Sequence, residues 1–313
     1  MSRGRTRLLR AAVTRLLSSL LVLWAAVTVV FVLSRASGDP VALLLPDDAS
    51  ADQVAQMKQT LGLDRPLPLQ YLDFLGGLVH LDLGDSLVYK EPVTSLIIER
   101  IPATALLAAT ALLITVVVSF LAGSIGAMRR GTALDRVVMS GVLVGQSTPA
   151  FWVGILLVLL FGVTLRALPA AGYGTPAHLI LPATTLAIFS VAVVSRLLRS
   201  SLIEVMGQDH VRTARAKGAS EARVLMGHSL RNASMPVITV LGLELGSLLG
   251  GAILTEQIFN WPGIGRLTID AISARDFPLV QGTVVLFAVT FIVVNLLVDL
   301  SYAIIDPRVR SHA

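Results

Sequence analysis

The sequence predicts an all-α, polytopic membrane protein with six transmembrane helices, and three observations carry that expectation. Of its 313 residues 54% are hydrophobic and 14% charged, against about 25% charged in an ordinary soluble domain, so lipid is the solvent for much of the chain. Six stretches reach the roughly 20 apolar residues needed to cross a hydrocarbon core of about 30 Å. None alternates in polarity over about ten residues, as barrel strands do. Each span therefore satisfies its backbone internally, as a helix.

The first span, Leu16 to Ser34, follows Arg3, Arg5, Arg7, Arg10 and Arg15. A signal peptide is the competing reading, with a weak small-x-small cleavage site at Ser34-Arg35-Ala36. The apolar stretch of 19 residues exceeds the usual 7 to 15 of such a peptide, which favours a membrane anchor. The segment 35-100 that follows holds ten of the 20 acidic residues, between Asp39 and Glu99, against five basic ones, the composition of water-exposed chain. Within it Ser50 and Gln53 form a capping box, Val54, Met57 and Leu61 are the apolar positions, and Gly62 is the stop, so a short surface helix is expected. The stretch Tyr71 to Gly84 is too apolar to stay solvated as a disordered loop.

Four further spans are uncharged or nearly so: Ile101 to Met128, Val137 to Leu165, Leu179 to Ser195, and Val237 to Thr255 with Glu244 inside it. The sixth runs from Leu279 to Ile305 around Asp299. Pro149 and Pro182 are expected to kink the third and fourth. With the N-terminus inside, 17 of the 25 Lys and Arg fall on inner segments, which places both termini in the cytoplasm. The chain then divides into 1-34 (N-terminus and first helix), 35-100 (extracytoplasmic), and 101-313 (membrane core with a cytoplasmic loop at 199-235).

The chemistry-bearing motifs of most enzyme classes are missing. There is no cysteine, hence no disulfide or thiolate chemistry. No phosphate-binding G-x-x-x-x-G-K-[ST] is present, and the glycines at Gly263 and Gly265 lack both a preceding strand and a third glycine. The five histidines include no metal-ligating pair. No serine sits in a G-x-S-x-G elbow, so a membrane-embedded hydrolase has no support. No catalytic, cofactor-binding or metal residue is assigned, and nothing points to nucleic acid.

Ionisable residues inside spans are candidates by default. Asn295 and Asp299 share one helix face, where a packing hydrogen bond is the better-supported reading. Gly242, Gly246 and Gly250 form a stripe that admits a close helix neighbour. Glu244 falls roughly opposite that stripe, either on an internal pathway or satisfied by a neighbouring helix.

The loop from Arg212 to Pro236 carries the clearest pattern. Arg212 to Lys217 are good helix formers, and Gly218 supplies the left-handed residue that ends such a helix. Arg215 and Lys217 complement its negative end. Ser220 caps a second helix with Glu221 in its first turn. Two short helices with a glycine at the corner are expected, and Ala214, Ala216, Gly218, Ala219 and Ser220 keep that corner small enough to enter a groove on another protein. Basic charge alone fits a loop drawn to anionic lipid headgroups, but it leaves the small corner unexplained.

The segment "RTARAKG" at Arg212 to Gly218, followed by Arg231-Asn232-Ala233 and Pro236, resembles the signature loop of binding-protein-dependent ABC importer permeases of the dipeptide, oligopeptide and nickel branch. The resemblance covers nearly the whole chain: "GDP" at Gly38 to Pro40, "LGLDRPLPLQYLDFLGGL" at Leu61 to Leu78, "DLGDS" at Asp82 to Ser86, "PAFW" at Pro149 to Trp152, "IFNWPGIGRL" at Ile258 to Leu267 and "NLLVDLSYAIIDPRVR" at Asn295 to Arg310. Where the general permease pattern has Glu-Ala-Ala, this chain has Arg212, Thr213 and Ala214. Leu230 and Arg231 stand where Leu-Pro is expected.

That resemblance implies a type I ABC importer permease fold in a bacterial cytoplasmic (inner) membrane. It implies a non-catalytic subunit forming half of a peptide pathway, with nickel or another small solute as the alternative cargo. A stand-alone ion-coupled carrier is the more distant class, and no internal repeat supports it. The implied partners are a second homologous permease, two ABC ATPase subunits that bind ATP and Mg, an extracytoplasmic substrate-binding protein, and the lipid bilayer. Docking to an ATPase falls on Arg212, Thr213, Ala214, Arg215, Ala216, Lys217, Gly218, Ala219, Ser220 and Glu221. "NWPGIGRLTIDAI" is expected to be a re-entrant or surface element near the pore mouth, or an ordinary amphipathic helix.

Overall fold

The computed structural model describes residues 2–36, 41, 45 and 48–305. "GDP" at Gly38 to Pro40 and "DPRVR" at Asp306 to Arg310 lie outside the described residues, as does the side chain of Asp299. The described residues are helical, with one isolated β-bridge between Asp85 and Pro92. Four helices are each long and apolar enough to cross a membrane, and two bent helix pairs raise the number of spans to six when each pair is one span.

Contacts divide the chain into two compact units, one built from the chain up to Ala103 with Pro262–Ile292, the other from Thr104–Trp261 with the chain from Val293. The first unit begins with α1 (Ser2–Ala36), whose apolar part is Leu17–Ala36. Its Phe31 lies 5.2 Å from Tyr71 and 5.9 Å from Phe74, ring centre to ring centre, and Tyr71 shares a 2.6 Å hydrogen bond with Thr28. Both partners stand on α3 (Leu67–Val79), so the apolar stretch from Tyr71 is packed, as its composition requires.

Before it, α2 (Ala51–Thr60) starts with the expected reciprocal capping box of Ser50 and Gln53. It ends ahead of Gly62, which adopts φ +65°. Val54, Met57 and Leu61 are half-buried.

α4 (Val93–Met128) has 36 residues, about 54 Å at the helical rise. It therefore overreaches the hydrocarbon core, and its first turns are free to build something else. Val93, Leu96 and Ile97 join Leu279 of α12 (Phe277–Ile305) and Leu267 and Ala271 of α11 (Ile264–Ser273) in one buried cluster. Gly282 makes the approach possible, since a Cβ there would stand 2.5 Å from Val93 Cγ1. The "NWPGIGRLTIDAI" stretch is thus a packed amphipathic helix, with Ile264, Leu267 and Ala271 inward.

The second unit is organised around α7 (Pro176–Met206), where successive turns bury Leu186, Ser190, Val194, Leu198 and Leu202. Pro182 lies within it without breaking it. Against α7 sits α5 (Ala133–Ser147), capped by Thr132. The expected third span is not one kinked helix: α5 and α6 (Ala150–Leu157, continued by a π-helical stretch Val158–Thr164) meet at 108°. Thr148 is extended at φ −100°, ψ 130°, the conformation a following proline imposes, so Pro149 ends one helix and caps the next. Gly154 then lets α6 approach α7, where a Cβ would lie 3.1 Å from Thr185 Cγ2.

The fifth span is α10 (Leu230–Ile258). It bends by 52° between Leu248 and Ala252, where Gly250 and Gly251 weaken the helix.

Candidate functional site

The turn between α7 and α10 is built by local rules. After Met206 the chain enters α8 (Asp209–Ala216), whose Val211 is fully buried. Lys217 caps its C-terminus, and Gly218 follows at φ +81°. Gly218 N donates to Arg215 O at 2.9 Å and Ala219 N to Ala214 O at 3.1 Å, the paired bonds of a Schellman stop. Ser220 then accepts from Arg223 N and begins α9 (Glu221–Arg223).

The second corner helix is not a short free one, because α9 runs through a π-helical turn (Val224–Ser229) straight into α10. No glycine or proline between Ser220 and Met226 interrupts it, and Val224 and Leu225 are buried as anchors. The corner therefore joins two membrane helices with Gly218 as its positive-φ residue.

A contact invisible in the linear pattern fixes the corner. Arg215 spans it to donate to both carboxylate oxygens of Glu221, at 2.8 and 3.0 Å. This fork-on-fork pairing holds the Glu221 carboxyl below, and the Arg215 guanidinium above, its usual range, through the hydrogen bond first. Arg212 makes only a looser 3.5 Å contact with Asp209 between exposed groups, which contributes little.

All ten residues from Arg212 to Glu221 are exposed or half-buried. Beside Gly218 a concavity of about 370 Å³ is lined by His210, Thr213, Ala214, Lys217, Ala219 and Arg223.

The depressed Glu221 carboxyl gives a signed expectation. Its contribution is present above the ordinary carboxylate value, about 4.3, and is lost as pH falls through the lower folded value. Hydrogen-exchange protection of the Gly218 and Ala219 amides should fall at acid pH, and Glu221→Gln should already show the reduced protection at neutral pH. Protection that ignores both changes would show that the Arg215–Glu221 pair does not hold the turn.

The other sequence candidates separate. Glu244 is half-buried and accepts a hydrogen bond from Ser190 Oγ on α7, so a neighbouring helix satisfies it. At Gly242 the stripe does admit a neighbour, since a Cβ would lie 2.8 Å from Val298 Cγ2 of α12. Gly246 is half-buried, whereas Gly250 is exposed and a Cβ there would meet nothing within 4 Å. Among the described residues the stripe is packed at Gly242 and open at Gly250.

Two carboxylates that the sequence did not single out are anchored more firmly. Asp135 takes Arg199 in a bidentate pair, at 2.8 and 2.7 Å, tying α5 to α7. Asp276 sits fully buried ahead of α12 and receives Ser86 Oγ and the Leu87 and Val88 amides. Aspartate before Phe-Pro at a helix start is the signal that would have found it.

These features define a multi-span helical membrane protein with a hydrogen-bonded, exposed corner linking two of its central helices. The chain belongs to the family described as the binding-protein-dependent transport system inner membrane component, whose model matches residues 119–311; a second model, for the N-terminal part of such components, matches residues 8–108.

Among curated relatives, it is 46% identical over 281 residues to a putative peptide transport system permease protein of Brucella abortus (strain 2308), covering 87% of this chain and 90% of that one. It is 44% identical over 273 residues to the glutathione transport system permease protein GsiC of Pectobacterium atrosepticum, at 87% and 89% coverage. It is 40% identical over 305 residues to the dipeptide transport system permease protein DppB of Escherichia coli (strain K12), at 87% and 90%.

Two solved structures share the fold. The MetNI methionine ABC transporter in an inward-facing conformation matches with a TM-score of 0.57 at 16% identity, over 67% of this chain and 96% of that one. An amino acid ABC transporter matches with a TM-score of 0.51 at 21% identity, over 66% and 92%.

Proposed function

We propose that this chain is the permease subunit of an ATP-driven importer and forms half of the pathway for a di- or oligopeptide. A second homologous permease completes the pathway, and two ATPase subunits, which hold ATP and Mg, power it. An extracytoplasmic binding protein delivers the cargo. Both termini and the corner at Arg212 to Glu221 face the cytoplasm, following the inner bias of Lys and Arg.

The carrying observation is the corner itself: a clamped, exposed Schellman turn whose two ends are α7 and α10. Force applied there by a closing ATPase pair would be delivered to both helices without first being absorbed by a flexible loop. The relatives named for peptide, dipeptide and glutathione transport favour a peptide over nickel as cargo. No step of covalent chemistry falls to this chain.

The test is uptake by vesicles that contain the complete transporter. Peptide uptake should require internal ATP and the loaded binding protein, and should be absent when only an ion gradient is supplied. Full uptake driven by the gradient alone would overturn the ATP-driven reading.

A further inference from the structure

Between α5 and α7 the structure opens a cleft of about 630 Å³, within the range of about 300 to 1,000 Å³ typical of small-molecule sites. One part of its wall is apolar, with Leu143, Val193 and Leu197, and another is polar, with Gln146, Arg196 and Ser200. The two arginines near it are differently placed. Arg199 is committed to Asp135 through both of its facing nitrogens. Arg196 is exposed, and its partner among the described residues is the Gln146 amide oxygen, at 2.6 Å from one terminal nitrogen. A guanidinium has five N–H donors, so most of Arg196's stay available, and among the described residues no carboxylate pairs with it.

Its depth is the second observation. α5 and α7 run antiparallel, since Asp135 meets Arg199 while Gly145 lies against Ile188. Gln146 is eleven residues beyond Asp135, about 16 Å along the helix. To reach it, Arg196 extends away from the charged end and toward the uncharged stretch 179–195. A cation drawn toward the apolar part of a span belongs on a cavity or pathway rather than on the lipid face. A headgroup phosphate would sit at the other end.

We propose that Arg196, held in place by Gln146, recognises the C-terminal carboxylate of the peptide cargo as it passes through this cleft. The proposal rests on the peptide reading above. Arg offers a planar fork matched to a carboxylate, the apolar wall suits a side chain beside it, and a single weakly buttressed cation binds its ligand loosely enough to release it.

The complete transporter in vesicles tests this with trialanine and its C-terminal amide as probes. Trialanine uptake with the loaded binding protein should fall about tenfold or more in Arg196→Gln, and should be partly restored in Arg196→Lys, with the ATPase subunits still bound. In the wild type without binding protein, millimolar trialanine should protect Arg196 from phenylglyoxal modification, read by mass spectrometry, and the amide should protect it less.

A wild type that takes up no trialanine overturns the peptide reading itself. Wild-type uptake with a loss under threefold in Arg196→Gln, or equal protection by acid and amide, overturns the site alone. So does a defect seen in vesicles containing phosphatidylglycerol but absent in pure phosphatidylcholine, which would assign Arg196 to a lipid headgroup.

Discussion

Gly218→Trp is expected to strip the ATPase subunits from the transporter and abolish peptide uptake, with the membrane helices still inserted. Gly218 adopts φ +81°, and a Cβ built on it meets nothing within 4 Å. Inside the chain, then, a side chain at 218 costs only backbone strain, about 1 kcal/mol for an ordinary L-residue in the left-handed region. Asparagine tolerates that region better than alanine. The series Asn, Ala, Trp therefore separates the two effects. Asn and Ala should report the small strain and keep their ATPase subunits, whereas Trp adds bulk on the open outer side of the corner, where the proposed ATPase contact would lie. Co-purification of ATPase subunits and substrate-stimulated ATP hydrolysis are the readouts. If the tryptophan variant keeps both, docking does not involve Gly218, and the proposed force path from the corner into α7 and α10 loses its entry point.

What could be read in the sequence was what local rules decide. The capping box of Ser50 with Gln53, the stop at Gly62 and the turn at Gly218 each depend on residues within five positions of one another, and each stands in the structure as the sequence implies. The number of spans followed from length and charge alone. At the 108° break of Thr148 and Pro149 the sequence implies no more than a kink, because an uncharged stretch looks the same whether one helix or two cross it.

The corner shows the limit most clearly. Gly218 marked it, but the Arg215–Glu221 clamp across it is six residues long, outside the helical i,i+3 and i,i+4 spacing. The partner of Glu244, Ser190, stands 54 residues away, beyond the reach of any local pattern. Arg196 looked like one of several inner basic residues until Gln146 showed which way it points.

The greatest loss of stability is expected from Asp276→Ala. The carboxylate is fully buried, 190 residues from Ser86. It accepts from Ser86 Oγ, from Leu87 N at 3.1 Å, from Val88 N at 3.2 Å and from Leu279 N at 3.4 Å. Ser86 Oγ in turn accepts from Tyr89 N at 2.9 Å, and Val93 N donates to Gly84 O at 3.0 Å. One side chain thus closes the loop that leads into α4 onto the start of α12. Alanine would leave the buried Ser86 hydroxyl and the part-buried Leu87 and Val88 amides without this acceptor; an unpaired buried donor costs about 1 to 3 kcal/mol and one that water reaches costs less, so a total of about 2 to 4 kcal/mol is expected. Asn keeps one amide oxygen and should lose less. Ser86→Ala removes one link and should cost about 1 kcal/mol. Combined with Asp276→Ala it should add little, because the two share one network. Thermal unfolding of the detergent-purified chain measures the ordering, and a smaller shift for Asp276→Ala than for Ser86→Ala would show that the carboxylate is not the centre of this network. The complete transporter, purified with the same variants, separates the two halves of the mechanism. Asp276→Ala should melt early and still retain ATPase subunits while folded, whereas Gly218→Trp should melt within a few degrees of the wild type and retain none.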